Sequence, residues 1–127
     1  MDKKVINAAA APAAIGPYSH AIDTGLGLIF TSGQIPVDPA TNDIVEGGIE
    51  AQTEQVFANL KAVLEEAGSS FDKVVKATVF LQDLKDFVVV NGIYAKYLGT
   101  DAPARSAIQV AGLPKGSLVE IEVIALK

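Results

Sequence analysis

The sequence predicts an α+β fold: a mixed β-sheet with two helices packed on one face. Three observations predict it. Residues 49–67 repeat apolar side chains at three- and four-residue steps, the signature of an amphipathic helix. Residues 118–126 alternate Val119, Ile121, Val123 and Ala125 with Leu118, Glu120, Glu122, Ile124 and Leu126, the period of a strand with two different faces. Strand-like runs stand on both sides of the two helical segments, in the order β-β-β-α-β-α-β-β.

The elements follow in order. A head over residues 1–16 holds a short strand at 3–7. Residues 19–24 and 28–34 read as strands around the Gly25-Leu26-Gly27 turn. Pro36, Pro39, Asn42 and Gly47-Gly48 make a loop. In the first helix Ile49, Thr53, Val56, Phe57, Leu60, Val63, Leu64 and Ala67 form the inner stripe, and Glu50, Gln52, Glu54, Asn59, Lys61 and Glu65 the outer face. Gly68 stops it. Residues 73–81 form a strand with Val75, Ala77, Val79 and Leu81 toward the core. Asp83 caps a second helix over 84–98, with Leu84, Phe87, Val88, Asn91, Tyr94 and Leu98 near one face; Gly99 ends it and Pro103 blocks a restart. Two strands close the chain. In the first, Arg105, Ala107 and Gln109 share one face, and Ala104, Ser106, Ile108 and Val110 the other. Mixed apolar and charged faces in these adjacent strands predict that a second copy covers the sheet, in a closed ring of few subunits.

A chain of 127 residues suits one domain spanning 1–127. Its net charge of −5, without a basic stripe, disfavours nucleic acid as a partner. The absence of cysteine excludes disulfides and thiolate chemistry, and a single histidine, His20, excludes a histidine cage within one subunit. Lys3 and Lys4 precede a stretch that Pro12 interrupts, a poor secretory signal. No run approaches the ~18 apolar residues of a membrane helix. The expected location is the cytoplasm.

Arg105 is the foremost candidate. It lies in a mostly apolar run after Pro103, where a permanent charge calls for an anionic partner. Its planar fork matches a carboxylate or phosphate two-against-two, so it either anchors a small anion or pairs with Glu120 or Glu122. Glu120, in an apolar strand, can hold or deprotonate a water, or be the other half of that ion pair. Tyr18, in Gly16-Pro17-Tyr18-Ser19, projects from a rim or packs. Ser32-Gly33, at a strand end, lets a ligand approach the backbone or merely ends the strand. Asn91 lies on the inner side of the second helix, where its amide meets a ligand or a backbone group. His20 is read as solvated and outside the site. With no other histidine to serve as base, a serine-hydrolase triad is disfavoured.

Ala13-Ala14-Ile15-Gly16-Pro17-Tyr18-Ser19, Thr31-Ser32-Gly33-Gln34-Ile35-Pro36, Lys76-Ala77-Thr78-Val79-Phe80-Leu81, Asp86-Phe87 with Val90-Asn91, Pro103-Ala104-Arg105-Ser106, and Leu113-Pro114-Lys115 followed by Glu120-Ile121-Glu122 together resemble the Rid (YjgF) family, most nearly its RidA subgroup. The resemblance implies a chorismate-mutase-like domain, a homotrimer with a cleft at each subunit interface, and hydrolysis of 2-imino acids to 2-keto acids and ammonia without metal or cofactor. It gives Arg105 the substrate carboxylate and Glu120 the attacking water. Tyr18, Ser32, Gly33 and Asn91 would line the pocket, and Ala107 would contribute its backbone where many members have cysteine. His20 stands where glutamine is frequent. Relatives without the arginine imply the alternative of a non-catalytic ligand-binding or regulatory trimer. An endoribonuclease or translation-inhibitor label is a third reading, which the acidic charge opposes.

Overall fold

The computed structural model describes residues 2–127. Strands β1 (Lys4–Ile6), β2 (Ala21–Asp23) and β3 (Leu28–Thr31) precede helix α1 (Ile49–Glu66). Strand β4 (Val74–Leu81), helix α2 (Phe87–Leu98), and strands β5 (Ala104–Gln109) and β6 (Val119–Leu126) follow. The sheet runs β1-β2-β3-β6-β4-β5, antiparallel throughout except for the parallel β4–β5 edge. Two crossovers, β3-α1-β4 and β4-α2-β5, join parallel strands. The right-handed rule for such connections puts both helices over the same face.

Between helices and sheet lies the core. Val56, Phe57, Leu60, Val63 and Leu64 of α1 meet Ala77, Val79 and Leu81 of β4 and Val119, Ile121, Val123 and Ala125 of β6, all buried. Phe57 stacks on Tyr97 with ring centroids 4.6 Å apart and meets Tyr94 edge-on at 6.0 Å, tying α2 to α1. Tyr97 also donates its hydroxyl to Glu54, which pushes its pKa up to about 12. At the end of α1, Gly68 takes φ +80° and Ser69 N–H reaches back to Leu64 O at 2.8 Å, the left-handed stop expected there.

Four expectations need correction. Val75 is exposed and Val74 buried, because a bulge between Val74 and Lys76 shifts the register against β6 by one residue. Gln52 and Asn59 are buried rather than on the outer face of α1. Asn59 Nδ2 donates to Ile35 O (3.1 Å) and Val37 O (3.0 Å), and Gln52 Oε1 accepts from Leu118 N–H (2.8 Å). Both amides thereby satisfy loop backbone that has no sheet partner. On α2 the buried stripe is Val90, Tyr94 and Leu98, while Val88 is 80% exposed, since a separate 3₁₀ turn at Leu84–Asp86 resets the helix phase. Asp83 caps that turn, accepting from Lys85 N–H.

Candidate functional site

The carboxylate side of the site begins at β6. Glu120 lies opposite Phe80 of β4, which lies opposite Ile108 of β5, so all three project from the sheet face away from the helices. Gln34 bridges to Ile121 through paired backbone bonds of 2.9 and 3.2 Å, which lays Gly33 against the Glu120 side chain. A β-carbon at Gly33 would stand 1.9 Å from Glu120 Oε2 and 2.8 Å from its Cδ, so glycine is required for this approach. Asn59 holds the Gly33 loop from behind, and Gln52 holds the chain just before Glu120.

Glu120 opens on a hollow of 300 Å³ lined by Ile15, Tyr18, Ser32, Gly33, Ile35 and Pro114. Burial, and secondly the charge of Glu122, hold its carboxyl above its ordinary pKa. A carboxylate so placed is a stronger base than a solvated one. Tyr18 forms an exposed lip, its hydroxyl accepting from Ile15 N–H at 3.4 Å. Ser32 donates its hydroxyl proton to Ser19 O (2.6 Å) and its N–H to His20 O (2.9 Å), so it serves as wall rather than nucleophile.

His20 is buried, not solvated. Its Nδ1 accepts from Ala8 N–H at 3.0 Å and its Nε2 donates to Pro12 O at 2.7 Å. Both ring nitrogens are thus engaged in pinning the segment that leads to Tyr18, and neither is free to act as a base.

The guanidinium side lies elsewhere. Arg105 is opposite Ala77 of β4, and Ala77 is opposite Val123 of β6, so Arg105 projects toward the helix layer. Because β5 is an edge strand, Arg105 is exposed, although its neighbours in sequence are mostly apolar. Its Nη1 donates to Asn91 Oδ1 at 2.7 Å. Its guanidinium carbon stands 4.7 Å from the Tyr94 ring centroid and 5.2 Å from that of Phe87. Asn91 is exposed, at the outer margin of α2 rather than its inner side. Tyr94 is buried, which raises its pKa against a smaller lowering by Arg105, and its hydroxyl has no protein partner. Beside them is a hollow of 370 Å³ that also touches Leu98, Gly99 and Pro103. Ala107 shares the Arg105 face, half-buried opposite Val79.

Arg105 and Glu120 therefore do not face each other within one chain. Their β4 neighbours are Ala77 and Phe80, three positions apart along the strand and hence on opposite faces. Neither enters any ion pair among the described residues, which removes the Arg105–Glu120 and Arg105–Glu122 pairings within one chain. Tyr18, Ser32, Gly33 and Glu120 gather on one side; Asn91, Arg105 and Ala107 on the other. A hollow of 580 Å³ along the α1–α2 seam belongs to neither, and its Glu54 is already bonded to Lys96 and Tyr97. The aromatic partners of Arg105 were missed in the sequence, although 87, 91 and 94 have the spacing of one helical stripe.

This is a six-stranded, two-helix domain of the YjgF-like fold class, with Arg105 and Glu120 on opposite faces of its sheet. Residues 8–127 match the family model described as endoribonuclease L-PSP. A RutC family protein of Pyrococcus abyssi is 53% identical over 127 residues, covering 100% of this chain and 99% of the relative. The 2-iminobutanoate/2-iminopropanoate deaminase of Bos taurus is 48% identical, covering 98% and 90%. The crystal structure of the Rid-family protein YyfA of Yersinia pestis superposes with a TM-score of 0.95 at 53% identity, covering 99% and 100%. The chain belongs to the Rid family. No helix among the described residues is long and apolar enough to cross a membrane.

Proposed function

We propose that the protein is a reactive-intermediate deaminase of the RidA type, which hydrolyses small 2-imino acids to 2-keto acids and ammonia in clefts between the subunits of a homotrimer. The observation that carries this reading is the division of the site: a guanidinium and a basic carboxylate, neither neutralised within the chain, project from opposite faces of one sheet. Closing a ring brings the Arg105 face of one copy to the Glu120 face of the next. The open sheet face supports such an assembly, since Val5, Phe30, Ile108 and Leu126 on it are each 43–50% exposed. The activity named for the bovine relative supports the choice of reaction.

In the cleft, Arg105 takes the substrate carboxylate in a bidentate pair. The protonated imine carbon is already electrophilic, so orientation and one placed water supply much of the rate. Glu120 accepts a proton as the water oxygen bonds to that carbon, giving a carbinolamine. The proton passes to the amine nitrogen, the C–N bond breaks with its electron pair leaving on nitrogen, and the hydroxyl collapses to the ketone. Loss of the hydroxyl proton balances the release of ammonium. Tyr18 closes the mouth, while Ser32, Gly33, Asn91 and the Ala107 backbone shape the walls.

The ribonuclease description attached to the family model fits this chain less well. A net charge of −5 and the absence of a basic stripe oppose phosphate-backbone binding. The test is 2-keto acid release from a threonine dehydratase reaction containing an imine trap. The wild type accelerates release, and Arg105→Ala abolishes the acceleration while light scattering still gives a trimer. A wild type without effect makes the protein a binding trimer; a monomer removes the shared cleft.

A further inference from the structure

Resting on that reading of Arg105, we propose that Phe87 and Tyr94 are positioning residues, whose ring faces hold the Arg105 guanidinium in the orientation that receives a carboxylate. An arginine on an edge strand is ordinarily a mobile side chain, and ordering it costs binding free energy. Here it is held from three sides by one stripe of α2. Phe87, Asn91 and Tyr94 are spaced by four and three residues, so they project in line along the helix.

Each member contributes something different. Asn91 Oδ1 accepts one Nη1 hydrogen at 2.7 Å and sets rotation in the guanidinium plane. The two rings, with centroids 4.7 and 5.2 Å from the guanidinium carbon, set the tilt of that plane. Asn91 takes one donor, and the rest of the fork is left for an anion.

The platform is itself anchored. Tyr94 is buried and meets Phe57 edge-on, so its ring cannot turn away without opening the core. Burial keeps its phenol protonated, and the ring therefore offers the cation a neutral π-face. Phe87 stands at the first turn of α2, half-buried against the same core. A lysine at 105 could carry the charge but has no plane for the rings to orient.

Two measurements on the assembled 127-residue chain test this. In the unliganded wild type, proton NMR shows nuclear Overhauser contacts from the Arg105 side chain to both rings, with ring-current shifts of its methylene signals. Those shifts collapse in Phe87→Leu and return in Phe87→Tyr. In the imine-hydrolysis assay Phe87→Leu raises KM about five-fold with kcat kept, as expected when ground state and transition state lose the same carboxylate anchor. Phe87→Tyr recovers the KM, and Arg105→Lys does not approach wild type. Absent contacts in the wild type, or an unchanged KM in Phe87→Leu, overturn the proposal. If the wild type lacks activity, the functional reading fails, whereas the NMR contacts and titration with 2-oxobutanoate still decide whether the rings orient the arginine.

Discussion

Replacing Gly33 by alanine tests whether the placement of Glu120 sets the rate. The added methyl would stand 1.9 Å from Glu120 Oε2, 2.8 Å from Cδ and 3.0 Å from Cγ, where ordinary contact begins at 3.4 Å. The carboxylate must therefore retreat by roughly 1.5 Å, and the whole arm of the side chain moves with it. Gly33 does not have a positive φ, so alanine brings no backbone strain there. The obstructed group is the end of a side chain facing a hollow, so the fold accommodates the change at a cost of about 1 kcal/mol or less. A misplacement of about 1 Å in a catalytic group costs on the order of 100-fold in rate. Gly33→Ala is thus expected to lower kcat about 100-fold while the melting temperature moves by only a few degrees. The assays are 2-keto acid release in the dehydratase-coupled reaction and a thermal scan of the same preparation. Wild-type kcat in a folded Gly33→Ala protein would refute the assignment of the water-activating role to Glu120.

Glu120→Gln is expected to reduce activity about 10²- to 10⁴-fold, measured in the same assay. The raised pKa of Glu120 means that the folded state holds its proton more tightly than the unfolded chain. Its contribution to stability is full below the ordinary value of 4.5 and is lost as pH rises through the folded value. Glu120→Gln therefore raises the melting temperature at neutral pH and flattens its decline above pH 4.5, a pattern read from scans across pH. In the wild type, the acid limb of the rate profile has its midpoint above the ordinary value of 4.5. Asn59→Ala strands the Val37 carbonyl and leaves Ile35 O with the Val37 N–H alone. It is expected to cost about 1–3 kcal/mol in urea unfolding and to reduce kcat by loosening the Gly33 loop.

Helix α1 was legible because its apolar stripe is long and its glycine stop is unambiguous; the predicted span of 49–67 differs from Ile49–Glu66 by one residue. The two faces of β6 were equally plain, since Val119, Ile121, Val123 and Ala125 are all buried. Strand alternation reports faces only within one strand, however. Which face of β5 continues that of β6 depends on their registers with β4, and nothing local encodes those. Sequence context therefore suggests one site for Arg105 and Glu120, whereas the registers set them on opposite faces. Gln52 and Asn59 misled for a related reason. A polar side chain inside a helix looks solvent-facing until the loop backbone it satisfies is known. His20 likewise gave no sign of partners, because Ala8 and Pro12 meet it only through main-chain atoms.

The division of charged groups between sheet faces has a genetic consequence. In the proposed ring every cleft draws its arginine and its glutamate from different protomers, so two inactive variants can rescue each other. A mixed ring of Arg105→Ala and Glu120→Gln subunits, in either ratio, contains one cleft with both groups intact. Random reassembly of equal amounts is expected to restore about one quarter of wild-type turnover from two dead parents. A protein that kept both groups on one chain would show no such complementation.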